Sequence, residues 1–383
     1  MHVAFLTPEY PHPLCHPSGG LGTSIKNLAE ALIRKGEEVS LIIYGQKEES
    51  NFEESGIHFY LLKQRGYFWG GWFFYRKHIQ RFINNLISVK NIQILEAPDW
   101  TGVTALMNIN CPVVIRMNGS DAYFCKLDGR PQKLKNRFFE KRALKAADSL
   151  VAVSAFTARK TNEILGLKRY IEIIPNSIRI EKFEPSVDEP APNRILYFGS
   201  LIRKKGIIEL AYIFNRVNAV LPDAELILIG KDVPDIFEKR STLEIFREKL
   251  TEIAEPKVKY LGAVSYDEVK SHIMSAKVVV LPSFAEALPM TWLEAMAMEK
   301  ALVTSDIGWA KEVMIDGKTG FTVSPENHQL YAEKIIELLR DSDLCKKLGK
   351  NARIKVMNDF SSDLIADRNI DYYNSVISKY QDN

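Results

Sequence analysis

The chain is poor in residues arranged for metal or disulfide chemistry. Its four cysteines (Cys15, Cys111, Cys125 and Cys345) are far apart and never in C-x-x-C spacing, so neither a disulfide framework nor a zinc knuckle is expected. Seven histidines give no H-x-H or H-E-x-x-H pattern. The single Asp-x-Asp, Asp341-Ser-Asp343, falls between helical patterns and not after a strand, where a metal–diphosphate site belongs. No bound metal and no cofactor are therefore expected. No apolar run approaches the ~20 residues of a membrane span. The opening, MHVAFLTPEYP, lacks the basic-then-apolar layout of a secretory leader, so a cytoplasmic setting is expected. A Walker loop, a G-x-G-x-x-G turn and a Gly-x-Ser-x-Gly elbow are all missing, which removes the commonest nucleotide-hydrolase, dinucleotide and esterase readings.

What is present is ordinary in bulk and uneven in distribution. The 383 residues suit two domains, and 46% apolar with 26% charged residues is a globular balance. The net charge of +3 splits into +7 for residues 1–187 and −4 for the remainder. The basic excess sits in two stretches. One runs from Lys63 to Lys90, with Arg65, Arg76, Lys77 and Arg81 and no acid. The other runs from Arg130 to Lys145, opposed only by Glu140. Such a face suits an anionic partner, and equally a solvated helix surface. Between Tyr67 and Tyr75 lie seven aromatics in nine residues. They fit a core, a membrane interface or an acceptor-binding loop. Stacking on nucleic acid is the weakest of these readings, and no nucleic-acid partner is expected.

Short β-branched runs alternate with amphipathic stretches throughout. In the first half the strands are expected at 2–7, 38–44, 92–97, 112–117, 149–154 and 170–175, with helices at Thr23–Lys35 and Leu134–Ala147. Residues 181–192 then hold three prolines and four acids, a linker. The pattern restarts with strands at 194–200, 224–230, 257–262, 277–282 and 301–306, and Ser265 with Glu268 forms a capping box. Two βα-repeating halves read as two doubly wound α/β domains, 1–180 and 194–360, with a linker at 181–193. A final helix from 361 is expected to return to the first domain. Ligands in such sheets sit beyond the carboxyl ends of the strands, which places the site in a cleft between the domains.

Three segments could carry chemistry. In the first, a strand ends at Leu281, a loop holds Glu286, and a helix begins near Met290 with Glu294 in its second turn. Free amides of Leu288, Met290 and Thr291 at a helix start attract phosphate, and Pro289 suits the first helical turn. Two carboxylates in an apolar stretch need partners, such as sugar and ribose hydroxyls. The second runs from Gly199 and Ser200 to Arg203, Lys205 and Gly206, where two cations could hold a diphosphate. The third is Ser18-Gly19-Gly20-Leu21-Gly22 after the first strand, whose glycines permit close backbone approach.

Together the three resemble the large family of retaining glycosyltransferases that includes sucrose synthases and many bacterial lipopolysaccharide and capsule enzymes. The likeness spans essentially the whole chain and continues through Gly308-Trp309, Glu312, Asp316-Gly317 and Thr319-Gly320. It implies the GT-B fold, two Rossmann-like domains facing a cleft, and transfer of a hexosyl or N-acetylhexosaminyl unit from a UDP- or GDP-sugar. The implied acceptor is a saccharide or lipid-linked saccharide of cell-surface glycan synthesis, met at an anionic membrane face. It implies Glu286 on the donor sugar, Glu294 on the ribose, and Arg203 and Lys205 at the diphosphate with Ser200 and the amides of Met290 and Thr291. Gly19 and Gly20 would lie by the reacting centre, and the base near Gly230, Lys231, Leu261 and Val264. The acceptor is expected at Asp99, Trp100, Trp69 and Trp72. Asn118 stands where the family commonly has a histidine on the donor sugar, Ala287 replaces a usual glycine, and Trp309 replaces another, so its ring would narrow the pocket or stack on a sugar. The same architecture also serves UDP-N-acetylglucosamine epimerases, and Asn118 leaves room for an inactive nucleotide-binding partner subunit.

Overall fold

The computed structural model describes residues 1–186 and 188–382; Val187, inside the stretch read as the linker, lies outside them. The chain divides by its contacts into two compact units, Met1–Arg179 with the segment from Phe360 onward, and Ile180–Asp359.

The first unit is built on strands β1 (His2–Thr7), β2 (Glu38–Gln46), β3 (Ser50–Glu54), β4 (Ile57–Lys63), β5 (Ile94–Pro98), β6 (Val113–Met117), β7 (Ser149–Ala152) and β8 (Glu172–Ile173). They form one sheet in the order β3-β4-β2-β1-β5-β6-β7-β8, parallel throughout except where β3 meets β4. The central strand β1 is buried at every position, which explains the apolar run Val3–Leu6 at its middle. The helix Gly20–Arg34 covers one face of the sheet and Gly71–Lys90 the other. The β3–β4 hairpin is an addition to the expected strand set; Ser55 and Gly56, both at positive φ, make its two-residue turn.

The last helix, Ser362–Gln381, lays Ile365, Ala366, Tyr373, Val376 and Ile377 into the core shared with Ile25, Leu28 and Leu32. Arg34–Asp363 and Lys35–Asp367, each 2.7 Å, tie its start to the Gly20–Arg34 helix. It also reaches a buried pair. Arg116 on β6 donates to both oxygens of Glu96 on β5 (2.7 and 2.8 Å), Tyr373 donates to Glu96 (2.6 Å), and Asn369 accepts from Arg116 (2.5 Å). A buried ion pair is weak evidence for net stability, but these bonds fix the end of β6 two residues before Asn118.

The second unit holds β9 (Arg194–Phe198), β10 (Glu225–Ile229), β11 (Val258–Tyr260), β12 (Val278–Leu281), β13 (Ala301–Thr304) and β14 (Phe321–Thr322) in the order β11-β10-β9-β12-β13-β14, all parallel. Chain order runs outward from β9 toward β11 and, on the other side, from β12 toward β14. The point of reversal lies between β9 and β12, where an open α/β sheet leaves a crevice for ligand. In the first unit the reversal lies between β1 and β5. The capping box is formed: Ser265 Oγ accepts from the Glu268 amide, and the Glu268 carboxylate accepts from the Ser265 amide, at the head of the helix Tyr266–Ser275.

Candidate functional site

The two loops that flank the reversal in the second unit are those carrying the candidate residues. After β9 the chain passes Gly199 and Ser200 into a 3-10 turn, Arg203–Lys205. After β12 it passes Pro282 and Glu286 into the helix Met290–Ala297. Backbone bonds join the loops: the Lys204 carbonyl accepts from the amides of Phe284 (2.8 Å) and Ala285 (3.3 Å). Gly206 is required here, because its φ is positive and a Cβ would overlap the Pro282 carbonyl. Gly230, after β10, packs equally tightly on the Gly199 carbonyl.

On this frame Lys205 and Glu286 meet at 3.2 Å, and Ser283 donates to Glu286 at 3.1 Å. Arg203 is engaged elsewhere: Nε and Nη2 hold Asp235 at 2.7 and 3.1 Å, and Nη2 also reaches Glu238. Burial pushes the Asp235 carboxyl up, but this fork and the amides of Phe237 and Glu238 leave it below the usual range. Asp235 gave no signal in the sequence, since nothing marks a lone Asp in a turn as a buried partner.

Glu294 lies one turn into its helix and is 6% exposed. Tyr266, the first residue of the helix Tyr266–Ser275, donates its hydroxyl to Glu294 Oε1 at 2.9 Å. Burial lifts the Glu294 carboxyl to about 7, with Tyr266 and Lys205 pulling the other way. Leu288 and Met290 are buried beside the helix start, while Ser200, Lys231 and Leu261 are exposed at the ends of their strands and Val264 and Thr291 are half-buried. Trp309 corrects an expectation. It is fully buried, so its indole packs in the core and offers no face to a sugar.

The first unit brings three loops together at the carboxyl edge of β1, β5 and β6. Glu9 Oε1 accepts from the amides of Gly19 and Gly22, both at 2.9 Å, which pins the glycine loop. Asp99 accepts from the Asn118 amide at 3.1 Å and is 1% exposed. Burial, reinforced by Glu140, pushes its carboxyl well above the usual range, against the pull of backbone amides including that of Asn118. Asp99 Oδ2 and Asn118 Oδ1 are both buried without a hydrogen-bond partner among the described residues. Such atoms are costly unless something else satisfies them. Glu9 was not singled out from sequence; a carboxylate ten residues before a glycine run was the available signal.

The aromatic stretch is only partly core: Tyr75 joins the core with Leu6, Ile79 and Ile83, but most of the rest does not. Phe68 is 95% and Trp69 78% exposed, and Trp72, Phe74 and Trp100 are also exposed. Trp72 meets Phe139 at a tilt, ring centroids 4.8 Å apart, joining this segment to the basic helix Leu134–Ala146, whose Leu134 and Phe138 are exposed too. Glu140 is fully buried and accepts from the amides of Thr101, Asp121 and Ala122, so it does not offset the outer charge of that helix. Lys133, Lys135, Arg137, Arg142 and Lys145 face solvent. Arg76 and Lys77 do not: Arg76 covers the Phe139 ring at 4.3 Å and Lys77 donates to the Leu106 carbonyl.

Residues 179–355 match the family described as glycosyl transferases group 1, and residues 18–182 match glycosyltransferase family 4. An uncharacterized glycosyltransferase of Methanocaldococcus jannaschii is 26% identical over 342 residues, 88% of this chain and 89% of that protein. Among solved structures, the sucrose-phosphate synthase of Thermosynechococcus elongatus superposes with a TM-score of 0.81 at 20% identity over 99% of each chain. Anabaena HepE in complex with UDP and glucose does so with a TM-score of 0.72 at 16% identity, covering 98% of this chain and 100% of that one. At such identities these likenesses establish the fold, which is GT-B.

Proposed function

Matched in succession by two glycosyltransferase families, the chain belongs to the group 1 glycosyltransferases, and we propose that it moves a hexosyl or N-acetylhexosaminyl unit, with retention, from a UDP- or GDP-sugar to a saccharide or lipid-linked saccharide. The observation that carries the donor reading is the grouping of Lys205, Glu286, Glu294 and the start of the helix Met290–Ala297 at the reversal of the second sheet. Lys205 and the helix amides take the diphosphate, Glu286 a sugar hydroxyl, and Glu294 the ribose. In the first unit, Asn118 Oδ1 accepts from a sugar hydroxyl, and Asp99, Trp100, Trp69 and Trp72 serve the acceptor. HepE, with UDP and glucose bound, supports a nucleotide-sugar reading.

In the transfer step the bond from the anomeric carbon to the diphosphate oxygen breaks as the acceptor oxygen bonds to the same face. The acceptor proton passes to the leaving phosphate. The protein then contributes positioning and charge stabilisation, and no side-chain base is needed. Nor is a metal, because Lys205 and the helix start supply the positive charge. Proton NMR of donor turnover in EDTA tests this. An α-linked product from an α-linked donor, at an unchanged rate, is expected. A β-linked product, activity restored only by manganese, or conversion of UDP-N-acetylglucosamine with no acceptor present would each contradict it.

The basic, aromatic face of the first unit docks on anionic lipid, with Phe68 and Trp69 at the interface and the five exposed cations nearby. Co-sedimentation with phosphatidylserine-containing vesicles should fall as salt rises, and fall further in Trp69→Ser with Lys135→Glu. Binding absent at low salt, or equal in the variant, would refute it.

A further inference from the structure

Tyr266 belongs to none of the three segments singled out for chemistry, yet it touches Glu294, the carboxylate assigned to the ribose. We infer that Tyr266 is a positioning residue for the donor, its hydroxyl holding Glu294 ionised and oriented for the ribose until the ribose hydroxyls take the carboxylate over. This rests on the reading of Glu294 as the ribose ligand.

Three observations carry it. The hydroxyl meets Glu294 Oε1 at 2.9 Å, and Glu294 is nearly inaccessible to solvent. Such a carboxylate needs fixed donors to stay charged. Tyr266 is 47% exposed, but its ring leads to the site from the first turn of a helix fixed by the Ser265–Glu268 box, and Phe183 meets that ring edge-on at 6.0 Å. The charged and titratable groups acting on Glu294 are few. Among the described residues they are Tyr266 from its helix and Lys205 from the Arg203–Lys205 turn, which is itself paired with Glu286. Burial, followed by the neighbouring Glu294, raises the Tyr266 phenol, so it is a neutral donor throughout the neutral range. Lys205 is already paired with Glu286, which leaves Tyr266 as the direct contact that favours the charged form of Glu294.

The sign follows from the linkage. Donor binding needs the ionised carboxylate, so affinity is full above the carboxyl pKa and is lost as pH falls through it. Removing a donor that favours the charged form moves that midpoint up. The test is calorimetric titration of UDP-glucose and GDP-mannose, whose diphosphate diesters do not ionise between pH 5.5 and 8.5. It compares wild type, Tyr266→Phe and Glu294→Ala. Wild-type affinity is expected to fall around pH 7. In Tyr266→Phe the midpoint should rise by about one pH unit, making binding about fivefold weaker at pH 7 and within about twofold of wild type at pH 8.5. An equal loss at every pH, or none, would mean that the ring only packs and would overturn the inference. Failure of both sugars to bind, or binding indifferent to Glu294→Ala, would instead overturn the donor-site reading and this inference with it.

Discussion

Lys205→Ala should lower kcat about 100- to 1000-fold, the scale of one lost charge-stabilising donor, with a much smaller change in KM. Charge on the leaving diphosphate grows as the sugar departs, so an ammonium placed there binds the transition state more tightly than the ground state. Lys205 is held where this requires, 3.2 Å from Glu286 on the loop joined to its own by backbone bonds. The substitution also removes the Lys205 contact that helps orient Glu286. Arg203→Ala is expected to cost less turnover, because its fork is committed to Asp235 and Glu238. Its larger effect should be on stability, since it leaves the buried Asp235 carboxylate with the Phe237 and Glu238 amides but no cation; roughly 1–3 kcal/mol is expected. Steady-state kinetics of both variants, with thermal unfolding beside them, checks the order. A Lys205→Ala enzyme with near-normal kcat would remove it from the diphosphate.

Asn118→Ala should lower turnover roughly 10- to 1000-fold. The side-chain Oδ1 is buried without a partner among the described residues while the backbone amide is held by Asp99, so the residue is oriented with an acceptor to spare. An amide takes a hydroxyl hydrogen bond as a neutral imidazole does, but it cannot carry a proton. Asn118→His should therefore be tolerated, and pH–rate profiles of the two should differ little. A wild type inert with every donor, yet active as Asn118→His, would mark the chain as a subunit that has lost its chemistry.

Much of this was legible in the residue pattern. β1 appeared at its full length because a central parallel strand is buried on both faces, so its middle, Val3–Leu6, reads as an apolar run. The helix starts at Tyr266 and Met290 were announced by a capping box and by a proline at the N-cap. The β3–β4 hairpin was missed because β3 is an edge strand of largely exposed polar residues; its one cue was Ser55-Gly56 between alternating stretches. The site divided in the same way. Glu286, Glu294 and Lys205 lie in contiguous motifs, but their partners do not. Tyr266 is 28 residues from Glu294 and Asp235 is 32 from Arg203. Only the order of the strands brings such pairs together. The sugar-stacking reading of Trp309 fails because a ring's direction is decided by packing, which residue type alone does not reveal.

Calorimetric binding of UDP and GDP at pH 8 in EDTA, to wild type and Glu294→Ala, is the most direct measurement of the central claim. One of the two nucleotides should bind the wild type without metal, and the substitution should weaken it by about 1–3 kcal/mol, roughly 5- to 150-fold, with circular dichroism unchanged. Binding of neither nucleotide, or equal affinity in a folded variant, would contradict the assignment of the donor site to the second unit.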